Sequence, residues 1–147
     1  MGININTSPV LDLQSFGASK IIGNRSFSKN PKIVSKIGDY CINFYHQNRI
    51  GTVIKHIPGH GLAKVDSHKY LPVVIKKKNY LFKNDFSAFK NKKSFFAMTG
   101  HVIYSDIDKK FPTTHSKKII KLIRKHIGFK NIIISDDLSM KSLKGTL

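Results

Sequence analysis

The sequence predicts an α/β fold with a parallel sheet, and three observations support this. Short apolar runs rich in β-branched residues recur along the 147 residues at spacings of roughly 40. Stretches with helical spacing of apolar residues lie between them. Polar residues suited to chemistry follow each run. Strands that alternate with helices are typical of a parallel sheet with crossover helices.

Four runs predict the strands, and capping residues predict the first helix. The strands are residues 3–11, Gly51–Ile57, residues 95–104 and residues 131–135. Asn30 followed by Pro31 is a typical helix start, because proline suits the first helical position. The residues at helical spacing after this start are Ile33, Val34, Ile37, Cys41 and Phe44.

Two further helices complete the repetition. Residues 80–89 predict a short helix, and Ser116 predicts the cap of another helix that ends at Gly128. The apolar side chains expected to point inward are Leu81, Phe82, Phe86 and Phe89 in the first, and Ile119, Ile120, Ile123 and Ile127 in the second.

Four βα units correspond to half of a (β/α)8 barrel of the TIM type, since a complete barrel needs about 250 residues. We therefore predict one domain over residues 1–147 that holds about half of such a barrel. An open four-stranded sheet that is stable by itself is the alternative.

The composition is strongly basic, with 26 Lys and Arg residues against 8 acidic residues, all of them aspartates. Such a charge fits a polyanion binder, because lysines neutralise phosphates. We prefer coding bias toward lysine as the explanation, because the lysines are dispersed and only residues 76–78 form a run. The lone Cys41, the absence of a secretory leader and the absence of long apolar stretches predict a cytoplasmic protein without a membrane span.

Unusual polar residues follow all four predicted strands. Asp12 follows the first, Lys55 and His56 end the second, His101 lies in the third and Asp136 follows the fourth. The carboxyl ends of parallel strands share one face of a sheet, where barrels carry their functional groups. The sequence therefore predicts one shared site.

Two segments suggest roles within that site. Asp66 precedes His68 by two residues, so it can accept a hydrogen bond from one ring nitrogen and leave the other for proton transfer. Asp136 and Asp137 follow a buried strand, where a carboxylate is held rigidly enough to act as a nucleophile. Either could also cap a helix, and we expect Asp136 to face the site and Asp137 to serve structure.

The histidines and Asp136 offer a metal site as an alternative, but their spacing does not support it. Its candidate ligands are His56, His60, His68, His101 and Asp136. The sequence lacks the HExxH and CxxC spacings that support zinc or iron binding, and it indicates no cofactor.

Read together, these segments resemble glycoside hydrolase family 3 β-N-acetylhexosaminidases of bacterial cell-wall recycling. The long signature is carried by residues 55–61 (KHIPGHG), 66–68 (DSH) and 71–72 (LP). Further similarity lies in residues 5–12, 23–27, 98–104 and 135–140, so the resemblance spans almost the whole chain.

The resemblance implies a retaining hydrolase that removes terminal β-linked N-acetylglucosamine, from peptidoglycan fragments (muropeptides), by double displacement. It implies Asp136 as nucleophile, and His68 as acid/base with Asp66 as its partner. It also implies that the sugar is held by Arg25, Lys55 and His56.

The resemblance also implies that the four units are strands 3–6 of the family barrel. The first two strands of the family, which include an Asp and an Arg that hold the sugar, have no counterpart in these residues, and neither do the last two strands. We therefore expect the chain alone to be inactive or weak unless halves associate. The alternatives are a basic nucleic-acid-binding α/β domain without enzymatic activity and a degenerate remnant.

Overall fold

The computed structural model describes residues 2–145. Its strands are β1 (Ile5–Asn6), β2 (Gly51–Ile57), β3 (Val73–Val74), β4 (Phe96–Thr99), β5 (Ile103–Tyr104) and β6 (Ile132–Ser135). Its α-helices are α1 (Pro31–Gln47), α2 (Lys78–Lys83) and α3 (Lys117–Leu122). Short 3₁₀ turns cover Gly23–Arg25, Asp85–Phe89, Thr113–His115 and Lys141–Leu143, and Ile123–Ile127 continues α3 as a π-helical turn.

The main sheet has the order β1-β2-β4-β6, and every pairing in it is parallel. A separate parallel pair joins β3 to β5. Helices connect the strands of the main sheet, so the chain forms a partial barrel of the TIM type, as predicted. The carboxyl ends of the strands meet on one face.

The central strands are apolar because both faces of the sheet are covered. Ile54 in β2 and Ala97 in β4 are fully buried, together with Ile119 of α3. Continuous apolar runs are typical of parallel strands that helices cover. This packing fixes the positions at which β2 and β4 end.

Two of the predicted strands are shorter than expected. In residues 3–11, regular pairing stops after Asn6, because the first strand has one residue more than β2 between the pairs Asn6–Thr52 and Val10–Lys55, and Val10 makes only an isolated bridge. In residues 95–104, the strand ends at Thr99, and Ile103–Tyr104 turns away to pair with β3. The second and fourth predictions are confirmed nearly residue for residue.

Helix α1 begins as predicted, and the predicted apolar spacing matches its buried face only in part. The side chain of Asn30 caps the helix by accepting the N–H of Lys32 at 2.9 Å. Its buried residues are Val34, Gly38 and Ile42, whereas Ile33 and Phe44 are exposed. The helix approaches the sheet at Gly38, where a Cβ atom would lie 2.5 Å from Leu11 Cδ2.

The helix predicted after Ser116 is confirmed, whereas the single helix predicted over residues 80–89 is divided into α2 and the 3₁₀ turn Asp85–Phe89. Ser116 accepts the N–H of Ile119 at 3.2 Å, and Gly128 ends the helical stretch with a φ of 81°. The inward positions of residues 80–89 are confirmed for Leu81, Phe86 and Phe89, and Phe82 is partly buried.

Both outer strands of the main sheet leave apolar side chains exposed. Ile5 in β1 is 48% exposed, Ile132 in β6 is 57% exposed, and Phe95 beside β6 is 52% exposed. Within residues 2–145, β1 pairs only with β2 and β6 only with β4. No helix in this part of the chain is both long and apolar enough to cross a membrane.

Candidate functional site

A cavity of about 200 Å³ lies at the carboxyl ends of the strands. Five of the six predicted site residues line it, and Asp66 lies directly behind one of them. Its lining residues are Ile21, Ile22, Arg25, Lys55, His56, His60, Ser67, His68, Met98, Asp136 and Met140. A larger cleft of about 520 Å³ along α1 is lined mainly by Lys, Ser and Asn, with no histidine. The smaller cavity is therefore the candidate active site.

Lys55 and His56 both reach the cavity although they are neighbours on β2. The register between β2 and β4 shifts between Lys55 and Ile57, so His56 is an extra residue on its strand, and the Lys55–His56 peptide is cis. The pKa of Lys55 is lowered by burial and by the nearby Arg25 guanidinium, against the opposing attraction of Asp136. Two adjacent polar side chains therefore face the same cavity.

Asp12 is a site residue that the sequence analysis placed near the site but gave no role. It is fully buried, and its carboxylate accepts the backbone N–H groups of His56 and His60. It also lies 2.6 Å from His56 Nδ1. Burial opposes ionisation of Asp12, but the His56 ring and these hydrogen bonds outweigh it and lower the pKa. The available signal was an aspartate between Leu11 and Leu13, where a charge requires partners.

Asp136 is held by the strand that precedes it. Its N–H donates to the carbonyl of Thr99 at 3.1 Å, and its Oδ1 accepts the N–H of Asp137 at 2.9 Å. Its Oδ2 lies 3.9 Å from His56 Nε2, and 19% of the side chain is exposed. Asp137 instead accepts the N–H of Ser139, as a turn residue and not as a helix cap. Asp136 therefore presents one fixed oxygen to the cavity.

Asp66 and His68 form the predicted pair. Asp66 Oδ1 lies 2.8 Å from His68 Nδ1 and accepts the backbone N–H of His68 at 2.8 Å. These two hydrogen bonds, the backbone one first, lower the pKa of Asp66. An ionised carboxylate only accepts, so Nδ1 carries the proton and Nε2 remains for proton exchange. The pair is solvent-exposed, with 59% of the His68 side chain accessible.

The turn between β2 and the Asp66–His68 loop is fixed by close packing. Gly59 has a φ of 143°, and a Cβ on Gly61 would lie 2.3 Å from the carbonyl oxygen of Leu13. The hydroxyl of Tyr104 donates to the Gly59 carbonyl. His60 Nε2 lies 3.0 Å from the Ser67 hydroxyl, so the turn holds the loop that carries His68. Burial lowers the pKa of His60, although Asp12 opposes this shift.

His101 is buried behind the cavity and does not line it. Its Nε2 lies 2.9 Å from the Asp137 carbonyl, so this nitrogen donates, and Nδ1 accepts the Thr114 hydroxyl at 2.8 Å. His101 thus supports the turn of Asp136 from behind.

Among the described residues, no group of three or more His, Cys, Asp or Glu side chains is arranged to hold a metal ion.

The arrangement combines a fixed carboxylate with a carboxylate–histidine pair and several donors. Asp136 can attack an electrophilic carbon, and His68 can exchange a proton. Arg25 lies in the turn Gly23–Arg25 and bonds the Ile21 carbonyl, so its guanidinium is held at the rim. Together with Lys55 it can hold hydroxyl or carbonyl oxygens of a ligand.

Comparisons with known proteins agree with this geometry. The profile described as "Glycosyl hydrolase family 3 N terminal domain" matches residues 1–146. A β-hexosaminidase of Neisseria meningitidis serogroup C is 36% identical over 148 residues, which cover 98% of this chain and 40% of that protein. A β-hexosaminidase of Aromatoleum aromaticum is 31% identical over 144 residues, with 95% and 40% covered. The chain thus spans about two-fifths of these relatives.

Solved structures give the same result. The β-N-acetylglucosaminidase from Thermotoga maritima superposes with a TM-score of 0.84 at 35% identity, over 98% of this chain and 31% of that chain. Native NagZ from Neisseria gonorrhoeae superposes with a TM-score of 0.86 at 34% identity, over 95% of this chain and 42% of that chain. These similarities favour the hydrolase interpretation over the nucleic-acid-binding alternative.

Proposed function

The chain belongs to glycoside hydrolase family 3, and we propose that its cavity is the catalytic part of a retaining β-N-acetylglucosaminidase. One observation carries this proposal: the exposed Asp66–His68 pair and the fixed carboxylate of Asp136 border the same cavity. A nucleophile and a separate proton donor around one cavity are what double displacement at a glycosidic bond requires.

In the proposed mechanism, Asp136 attacks the anomeric carbon while the bond to the leaving oxygen breaks. His68 gives its Nε2 proton to that oxygen, and the imidazolium is stabilised by the adjacent Asp66 carboxylate. A glycosyl ester on Asp136 results. His68 then takes a proton from water, which attacks the anomeric carbon and releases the sugar with retained configuration.

The substrate we propose is a terminal β-linked N-acetylglucosamine of a peptidoglycan fragment. Arg25 and Lys55 supply donors for the hydroxyl and acetamido oxygens of the sugar, and His56 presents its Nε2 atom to a sugar hydroxyl. A related protein supports this sugar, since NagZ from Neisseria gonorrhoeae has been solved in complex with N-trifluoroacetyl-D-glucosamine. The muropeptide part of the proposal rests on the resemblance to enzymes of cell-wall recycling.

The proposal is tested in a chimera in which residues 1–147 replace the matching 40% of the Neisseria meningitidis relative. Cleavage of 4-nitrophenyl β-N-acetylglucosaminide is measured for the chimera and for the isolated chain. We expect an active chimera and a weak or inactive isolated chain. Asp136→Asn should lower kcat of the chimera by about 10³-fold or more, because it removes the nucleophile.

Asp137→Asn is the matched control, because an asparagine Oδ1 can still accept the Ser139 N–H. We expect it to retain activity within about threefold. The proposal is contradicted if the chimera folds but shows no activity while the unmodified Neisseria meningitidis enzyme is active in the same assay. Equal losses in Asp136→Asn and Asp137→Asn would show that Asp136 has no special role. DNA binding with a steep salt slope that survives Asp136→Ala and His68→Ala would favour the nucleic-acid alternative.

A further inference from the structure

Asp12 forms a buried hydrogen-bonding centre beneath the proposed sugar site. Its side chain is completely enclosed and accepts three hydrogen bonds, two of them from His56. The third comes from the backbone N–H of His60 at 2.6 Å. A buried carboxylate with this many donors is stabilised in its ionised form. Its carboxylate connects the end of the first strand to the end of β2.

The ionised carboxylate decides which nitrogen of His56 carries the proton. A carboxylate can only accept, so His56 Nδ1, at 2.6 Å from Asp12 Oδ2, must be the donor. The other ring nitrogen, Nε2, points toward Asp136, whose Oδ2 lies 3.9 Å away. The His56 ring therefore presents a defined nitrogen in a defined orientation to the cavity.

We propose that Asp12 is a positioning residue that fixes the tautomer and orientation of His56 for sugar binding. Its effect on the sugar rests on the proposed function, whereas its effect on the tautomer does not. The physical logic is that of the aspartate in a Ser-His-Asp triad, which holds its histidine in one tautomer. Here the oriented histidine binds the sugar and does not transfer the proton.

Asp12→Asn is the informative substitution because it keeps the size of the side chain. The amide oxygen can still accept the N–H groups of His56 and His60, which leaves the NH₂ group facing Nδ1. Two donors cannot share this contact, so the proton of the neutral ring must move to Nε2. The nitrogen facing the cavity would then be a donor in the neutral ring instead of an acceptor.

The test uses the full chain with ¹⁵N-labelled histidine and long-range ¹H–¹⁵N correlation spectra. Loss of one set of ring signals in His56→Gln assigns the signals of His56. We expect the proton on Nδ1 in the wild type and on Nε2 in Asp12→Asn. Titration with N-acetylglucosamine should give an affinity about tenfold lower in Asp12→Asn, as for the loss of one hydrogen bond.

Asp106→Asn is the control, since Asp106 bonds Lys77 and Lys78 far along the chain from this cluster. It should leave the His56 tautomer and the sugar affinity unchanged. The proposal is overturned if the wild-type His56 ring carries its proton on Nε2, or if the ring keeps its proton on Nδ1 in Asp12→Asn. If the variant unfolds, the wild-type spectrum by itself decides between the two tautomers. A wild type with the expected tautomer that binds no sugar, in the chain and in the chimera, defeats the proposed function and leaves the tautomer assignment standing.

Discussion

The backbone N–H of Lys141 donates a hydrogen bond to the carbonyl oxygen of His68 over 3.3 Å. Lys141 follows the strand end that carries Asp136, whereas His68 lies on the loop that follows β2. This bond therefore joins the proposed nucleophile segment to the proposed acid/base loop. The other hydrogen bonds of His68 go to Asp66 on the same loop, so the bond to Lys141 ties this loop to the segment of Asp136.

Lys141→Pro removes this bond with little other change. Lys141 is the first residue of the turn Lys141–Leu143, where proline is tolerated, and Met140 has an extended ψ of 138° that suits a following proline. We expect faster amide exchange over residues 66–70, measured by hydrogen–deuterium exchange, because the loop loses an anchor. Lys141→Ala keeps the N–H and is the control. Equal exchange in both variants would show that the bond does not restrain the loop.

Asp85→Asn should change how stability depends on pH. Asp85 is buried against Gly59, its Oδ1 has no hydrogen-bond partner among residues 2–145, and burial raises its pKa to about 7. Between the ordinary pKa of 3.8 and about 7, Asp85 is therefore protonated in the folded chain and ionised in the unfolded chain. The free energy of unfolding falls as the pH rises through this range.

Urea unfolding at pH 5 and pH 8 measures this effect. The wild type loses stability over the roughly two pH units between pH 5 and the pKa of Asp85, whereas Asp85→Asn has no carboxyl group to ionise. The stability of Asp85→Asn relative to the wild type should therefore rise by about 2 to 3 kcal/mol between pH 5 and pH 8. Asp106→Asn, at an exposed ion pair with Lys77, should show no such change over this range. A parallel pH dependence of the wild type and Asp85→Asn would contradict a buried protonated Asp85.

His101→Leu should destabilise the fold and loosen the turn of Asp136. The substitution removes the histidine partner of the half-buried Thr114 hydroxyl, which still lies 3.2 Å from the Thr99 hydroxyl, and of the Asp137 carbonyl. We expect a loss of about 1 to 3 kcal/mol in urea unfolding, because two hydrogen bonds are lost and each contributes about 0.5 to 1.5 kcal/mol. Thr114→Val, which removes one hydroxyl, should cost less than His101→Leu. A neutral His101→Leu would show that these contacts do not hold the turn.

Two of the four strands and two helix starts were predictable because apolar runs and capping residues are local signals. The second and fourth strands, the Asn30 cap and the Ser116 cap follow directly from neighbouring residues. The convergence of Lys55 and Asp136 on one cavity follows from the parallel sheet, since its strands end on a common face. These parts of the site required no knowledge of distant contacts.

The roles of Asp12, Asp85 and His101 depend on contacts between residues far apart in the sequence. Asp12 meets His56 across 44 positions, and His101 meets Asp137 across 36. The apolar spacing of α1 also gave only part of its buried face, because a glycine, Gly38, packs against the side chain of Leu11. A hydrophobic pattern gives no weight to glycine, so tertiary packing decided this face.

The exposed edges of the main sheet should make the isolated chain self-associate. Ile5 in β1 and Ile132 in β6 lie exposed on the edge strands of the parallel sheet. The faces of a parallel sheet are normally covered, and edge strands can pair with other chains. Sedimentation at 0.15 M salt or above is appropriate, because the net charge of +18 opposes association when unscreened. We expect concentration-dependent oligomers for the wild type and a monomer for the double variant Ile5→Lys, Ile132→Lys. Phe44→Lys, an equally polar change on the exposed face of α1, is the control and should associate like the wild type. Exposed hydrophobic surface and strand edges promote association at about 100 μM. A wild type that stays monomeric at this concentration contradicts the prediction.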